Sequence, residues 1–285
     1  MTPLRQKMTE DLRIRNYRPR TIRAYVGAVS RFARFFGRSP DQLGPEHIRK
    51  FQLDLVGDGE VSWSWLNVHV CALRFFYGVT LGRDDVIVHI PYAKQPKKLP
   101  TVLTRDEVTR FLWAVDDPQI QILFMTMYAT GMRRHEAQLL RVQDVDSGRG
   151  VIRVLGKGQK QRLVPLSTTL LETLRAYWVA YRPDELLFPG HRLDRPIAEK
   201  RVSRARRAAI QTAGLERTFT THVLRHSFAT HALESGVDIR RIQVILGHPR
   251  ITTTAVYLHV CEHFVSGTAS PLDLLDLGLL DVEPS

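Results

Sequence analysis

Six side chains beyond residue 130 have the types needed to attack and hold a phosphodiester: Arg133, Lys157, His222, Arg225, His248 and Tyr257. Cleavage by a side-chain oxygen builds negative charge on the non-bridging phosphate oxygens. Two guanidiniums bind such oxygens in forked geometry and stay protonated at any working pH. A tyrosine hydroxyl has an unperturbed pKa of about 10 and needs nearby cations and a proton acceptor to act as a nucleophile. Alone, each residue says little. Arg133 follows a Thr-Gly helix stop, and Lys157 sits between two β-branched runs. His222 and Arg225 are three apart on one helix and share a face. His248 follows Leu-Gly at another stop, with Tyr257 nine residues later.

Order and context give these residues meaning together. The stretches ATGMRRHEAQLL, GKGQKQRLVPL, THVLRHSFATHAL and LGHPRITTTAVYLHV resemble, in that order, the first arginine, hairpin lysine, His-x-x-Arg and His-to-Tyr motifs of the tyrosine recombinase (phage integrase) family. The first 90 residues and the KKLPTVLT junction resemble that family's core-binding domain and linker more loosely. The likeness is greatest to the simple two-domain Xer-like and integron-like branches. It implies a site-specific enzyme that cuts and rejoins DNA through a 3′-phosphotyrosine, without metal, ATP or other cofactor. Arg133 and Arg225 would clamp the phosphate and Tyr257 would attack. His222 would accept the phenolic proton, Lys157 would protonate the leaving 5′ oxygen, and His248 would hydrogen-bond the phosphate. Glu136, one turn after Arg133, would orient the cations. Arg134 and His135 depart from the family's pattern, which more often has a small apolar residue and then Ser.

The elements that must position these groups fall into two sets. Residues 1–90 read as all-helical. Ile22, Tyr25, Val26, Val29, Phe32 and Phe36 make one face of a helix over 20–36. Gly44-Pro45 opens a second helix, and Ser62 caps a third. Residues 91–100 carry three prolines and three lysines and read as an extended basic linker. A catalytic domain spans 101–265. It opens at the Thr104-Arg-Asp-Glu107 capping box and continues with helices over 119–130 and 133–140. A hairpin of 151–155 and 162–166 follows. Helices are then expected over 168–181, 197–213, 221–235 and 238–246, with a last helix near 252–260 carrying Tyr257. The tail, 266–285, holds a short stripe of Leu272, Leu275 and Leu279 that must dock on something to be stable. The fold class is mainly α with a small β-sheet: a helical SAM-like domain and a mixed α+β catalytic domain, expected to close on DNA as a C-shaped clamp.

Composition agrees with a nucleic-acid partner. Lys and Arg total 41 against 29 acids, a net charge of +12, and residues 1–50 carry twelve of the cations against four acids. Candidate backbone contacts are Arg20, Arg23, Arg31 and Arg34, the linker's Lys94, Lys97 and Lys98, and Arg204, Arg206 and Arg207. The resemblance implies double-stranded DNA at a recombination site as partner, a dimer on each site and a tetramer in the synapse. Leu272, Leu275 and Leu279 would contact a neighbouring subunit or dock in cis. Two distant cysteines allow no disulfide framework or metal quartet. His259 and His263 align on a helix, but Cys261 does not, which argues against a metal site. With no signal-peptide core and no apolar run of about 18 residues, a cytoplasmic location is the default. Trp63, Trp65 and Trp113 are expected in or near cores, with base stacking the alternative for Trp63 or Trp65. Rival readings are a type IB topoisomerase, a catalytically silent DNA-binding relative and a metal nuclease. The sequence leaves integration, excision, resolution, inversion and transposition open.

Overall fold

A computed structural model describes residues 2–57, 62–92, 99–156 and 161–259. The chain divides into two compact units, Met1–Lys97 and Lys98–Ser285.

The first unit is helical. It runs α1 (Pro3–Ile14), α2 (Pro19–Phe36), α3 (Pro45–Val56), α4 (Trp63–Phe75) and a one-turn α5 (Asp84–Ile87). Local chemistry sets the ends. Pro is the first residue of α1, α2 and α3, where its missing N–H costs nothing. Ser62 accepts from Trp65 N–H to start α4. Gly37 ends α2 in the left-handed conformation at φ 62°. The apolar stripe read from 20–36 faces inward: Val26, Val29 and Phe32 are buried against Phe51, Val70 and Leu73. Burying a side chain such as Phe32 contributes roughly 1.5–3 kcal/mol. Tyr77, also buried, satisfies its hydroxyl on the carbonyls of Pro40 and Leu43 at 2.7 and 2.9 Å.

The second unit surrounds a small sheet with helices. α6 (Arg105–Trp113), α7 (Pro118–Thr130) and α8 (Arg134–Gln138) precede the sheet. Its strands are β1 (Val145–Asp146), β2 (Val151–Leu155) and β3 (Gln161–Pro165), antiparallel in the order β1-β2-β3. Then come α9 (Thr168–Tyr181), α10 (Glu199–Thr212), α11 (His222–Glu234) and α12 (Ile239–Leu246). Thr104 and Glu107 form the expected capping box at α6. α7 is the hub: Ile120, Leu123, Phe124 and Met127 are all buried in the core that β2, β3, α9 and α11 share. Its wide apolar surface suits a helix enclosed on several sides.

Three expectations need correction. The segment carrying Tyr257 is not an α-helix but two 3₁₀ turns, Ile251–Thr253 and Ala255–His259. Threonines at 252, 253 and 254 are stiff at χ1 and disfavour α-helix propagation. Trp113 and Trp63 are not core residues: they are 74% and 43% exposed. Trp65 does pack against the first unit's core, beside His69 and under the Arg31 guanidinium. The two-residue strand β1 was too short to leave a pattern in the sequence.

Gly131, which stops α7, is both conformationally and sterically required. It sits at φ +65°, and a Cβ there would lie 2.6 Å from Phe228 and 2.7 Å from Leu246. Gly131→Ala is therefore expected to destabilise the full chain by about 2–4 kcal/mol, from left-handed strain plus overpacking. Urea denaturation would measure it. A loss below 1 kcal/mol would contradict the close approach of α7, α11 and α12.

Candidate active site

The turn at Gly131 aims Arg133 out of the end of α7. Arg133 is the cap residue of α8, with extended backbone. Glu136 fixes it twice: Arg133 N–H donates to Glu136 Oε2 at 2.8 Å, and Arg133 Nη1 donates to Oε1 at 2.9 Å. The same carboxylate receives both terminal nitrogens of Arg162, at 3.1 and 2.7 Å. Burial alone would raise the Glu136 pKa. The bonds from Arg162 and Arg133 overcome that and hold it below the usual carboxylate range. Arg162 Nε donates in turn to Ile245 O at 2.7 Å. One side chain thus ties β3 of the hairpin to the Arg133 turn and to the end of α12.

Arg225, on α11, is 2% exposed. Its Nη1 donates to Gly131 O and its Nη2 to Leu246 O, both at 2.7 Å. Nη2 also lies 2.9 Å from His248 Nε2. Burial, then Arg133, brings its pKa down to about 10, so the charge persists at neutral pH. A guanidinium can only donate, so His248 Nε2 must accept. His248 Nδ1 therefore carries the proton and donates to Thr254 Oγ1 at 2.9 Å. Burial, Arg225 and Arg133 push the His248 pKa down to about 4, which keeps the imidazole neutral.

Tyr257 is 2% exposed and approaches this cluster from within its own chain. Burial raises its pKa, while the positive charges of Arg225 and Arg133 oppose the rise. Its hydroxyl lies 2.9 Å from His226 Nδ1. The expected acceptor, His222, makes no such bond: it is exposed, and its ring stands 5.7 Å from that of His226.

The structure thus brings Arg133, Glu136, His222, Arg225, His248 and Tyr257 around one end of α7. Lys157 lies outside the described residues, as do Lys94, Lys97, Lys98, Leu272, Leu275 and Leu279. The His259–His263 stretch passes out of the described residues after His259. Arg20, Arg23, Arg31 and Arg34 are exposed on α2, in the other unit. On α10, Arg204 and Arg207 are exposed and Arg206 is half-buried. Arg134 pairs with Glu199 at 2.7 Å. Sequence reasoning missed Arg162 and His226. Arg162 shares the inward face of β3 with buried Val164, two residues on, and His226 follows His222 by one helical turn; both periodicities could have flagged them as inward or site-facing.

Removing the shared carboxylate should be costly. Glu136→Ala leaves Arg162 buried without its partner, which is expected to cost about 3–5 kcal/mol. The thermal midpoint should fall by on the order of 10 °C for a unit of this size. Glu136→Leu combined with Arg162→Met should recover most of that loss. Calorimetry of the full chain checks both. A single-variant midpoint within about 2 °C of the parent would refute the buried pair's importance. The depressed Glu136 pKa makes this stabilisation present above about pH 4.5 and lost as pH falls through the folded value.

Comparison with known proteins completes the description. Residues 101–263 match the model of the phage integrase family, and residues 4–85 match that of the phage integrase N-terminal SAM-like domain. The chain belongs to the phage integrase family. Protein y4qK of Sinorhizobium fredii (strain NBRC 101917 / NGR234) is 46% identical over 277 residues, covering 96% of this chain and 90% of that one. The tyrosine recombinase XerA of Thermococcus kodakarensis (strain ATCC BAA-918 / JCM 12380 / KOD1) is 37% identical over 253 residues, 86% of each chain. Among solved structures, a lambda integrase tetramer bound to a Holliday junction shares the fold. Its TM-score is 0.74 at 17% identity, over 88% of this chain and 75% of that one. Among the described residues, no helix of this phage integrase family member is long and apolar enough to cross a membrane.

Proposed function

We propose that this chain is a site-specific DNA recombinase that breaks and rejoins strands through a 3′-phosphotyrosine on Tyr257. One observation carries the reading: a buried, fully charged Arg225 shares its pocket with Arg133, His248 and the Tyr257 phenol. Preorganised positive charge stabilises the phosphorane-like transition state directly. Arg133 and Arg225 bind the non-bridging oxygens, and Glu136 and Arg162 hold the Arg133 turn in place. His222 and His248 complete the phosphate's surroundings. His248 Nε2 accepts from Arg225 in the DNA-free protein. A phosphate anion beside it favours the protonated imidazole, which can then donate to the anion. Lys157 is the proposed proton donor to the leaving 5′ oxygen. The covalent bond conserves the energy of the broken phosphodiester, so rejoining needs no ATP.

The proposal extends to assembly. The two units would close on the duplex as a clamp, with α2's arginines, the linker lysines and Arg204, Arg206 and Arg207 on phosphates. Two chains would occupy each site and four the synapse, as in the lambda integrase tetramer on its junction, and the Leu272, Leu275 and Leu279 stripe would dock on a neighbour or in cis. The compartment would be the cytoplasm. The deciding experiment incubates the full chain with a nicked duplex carrying its recombination site, in the presence of chelator. A DNA–protein band that survives denaturation is expected. Its absence on every site recovered by genomic selection would sink the reading. A type IB topoisomerase would instead relax plasmids that lack any cognate site.

A further inference from the structure

We infer that His226, rather than His222, takes the proton of Tyr257 as the phenol attacks DNA and returns it when the strand rejoins. The inference rests on the strand-exchange reading above. It starts from the 2.9 Å contact between Tyr257 Oη and His226 Nδ1. Among the described residues this is the hydroxyl's one hydrogen-bond partner, and the residue is too buried for water to replace it. A buried O–H left without an acceptor costs about 1–3 kcal/mol. The favoured tautomer therefore keeps Nδ1 bare, with the hydroxyl proton lying on the line between oxygen and nitrogen. A general base must be within hydrogen-bond reach of the proton it removes, and His226 meets that condition.

The surroundings set how the base behaves. Four groups face His226: Tyr257 from the 3₁₀ turn, His222 and Arg225 from its own helix, and His248 from the loop after α12. Burial comes first, followed by His222 and Arg225, and together they bring the His226 pKa down to about 4. The imidazole is thus neutral and ready at neutral pH. Once protonated it is held beside a permanent cation, so it does not keep the proton. In cleavage the Oη–H bond breaks and Nδ1–H forms, Oη bonds to phosphorus, and the 5′ oxygen leaves with a proton from a separate donor. In rejoining, the 5′ hydroxyl returns its proton to that donor as its oxygen bonds to phosphorus, the P–Oη bond breaks, and Nδ1–H protonates the departing phenol. One group serves both directions, as reversibility requires.

The test is the single-turnover rate of covalent complex formation on the nicked duplex, at saturating protein, across about pH 6 to 9. The parent rate should be nearly flat, because His226 is unprotonated throughout. His226→Asn keeps an acceptor for the hydroxyl but cannot carry its proton. It should react about 10²–10⁴-fold more slowly, with a rate that climbs close to tenfold per pH unit as hydroxide replaces the base. DNA affinity should hold. His226→Gln provides a second variant should the asparagine fold poorly. His222→Asn should slow the reaction without acquiring that slope. The idea fails if His226→Asn and His226→Gln stay flat and within tenfold of the parent, or if His222→Asn gains the slope instead. Tyr257→Phe separates the two levels. Covalent trapping that survives it overturns the nucleophile itself, whereas its loss beside normal His226 variants overturns the base alone.

Discussion

Tyr257→Phe should abolish the denaturation-resistant DNA complex while leaving the protein folded and able to bind DNA. The substitution removes one atom. Among the described residues the phenol's oxygen bonds to His226, and the ring packs against Ala229, Leu233, Ile242 and Leu246. Losing a single hydrogen bond costs about 1 kcal/mol, and an apolar ring fills the same space. Loss of the proposed attacking atom, by contrast, should lower the rate on the order of 10⁴-fold or more. The assay compares gel shifts with and without denaturant. Native binding that persists while the denatured shift disappears is the expected pair of results. If both disappear, Tyr257 is structural.

Arg225→Lys should be almost as damaging and in a different way. The guanidinium spans two carbonyls and an imidazole on two segments of chain, the turn after α7 and the end of α12. An ammonium on a shorter fork cannot reach all of them. Leaving Gly131 O or Leu246 O unpaired costs about 1–3 kcal/mol each. Loss of the bidentate charge at the phosphate should slow covalent complex formation by about 10²–10³-fold. Thermal melts and single-turnover rates on the same preparation read the two effects separately. A variant that cleaves within a factor of ten of the parent would show that a point charge suffices there.

Much of the fold was legible because its signals are local. Gly131 stops α7 by adopting left-handed backbone, Thr104 and Glu107 bond reciprocally, and the hairpin expected over 151–155 and 162–166 pairs as 151–155 with 161–165. Tyr257's segment misled because a TTTAVYLHV run has helical spacing, whereas its β-branched residues favour the shorter 3₁₀ turns. The site's cationic shell was partly legible, and its connections were not. Arg162 lies in what reads as an apolar strand, and nothing in Arg-Leu-Val-Pro-Leu announces a bond to a carboxylate 26 residues away. His226 was overshadowed by His222, one turn earlier on the same face. Choosing between them needs the direction of approach of Tyr257, which is set by packing against α11 and α12 and not by spacing along the chain.

The Thr254 hydroxyl receives the His248 proton, and the Thr254 carbonyl receives the Tyr257 amide at 3.0 Å. The imidazole and the phenol are thereby geared to each other through one residue. An incoming phosphate oxygen that drew His248 away from Arg225 would pull the same short turn that presents the proposed nucleophile. Occupancy of the cradle and readiness to cut would then rise together, so that an empty enzyme keeps its blade sheathed.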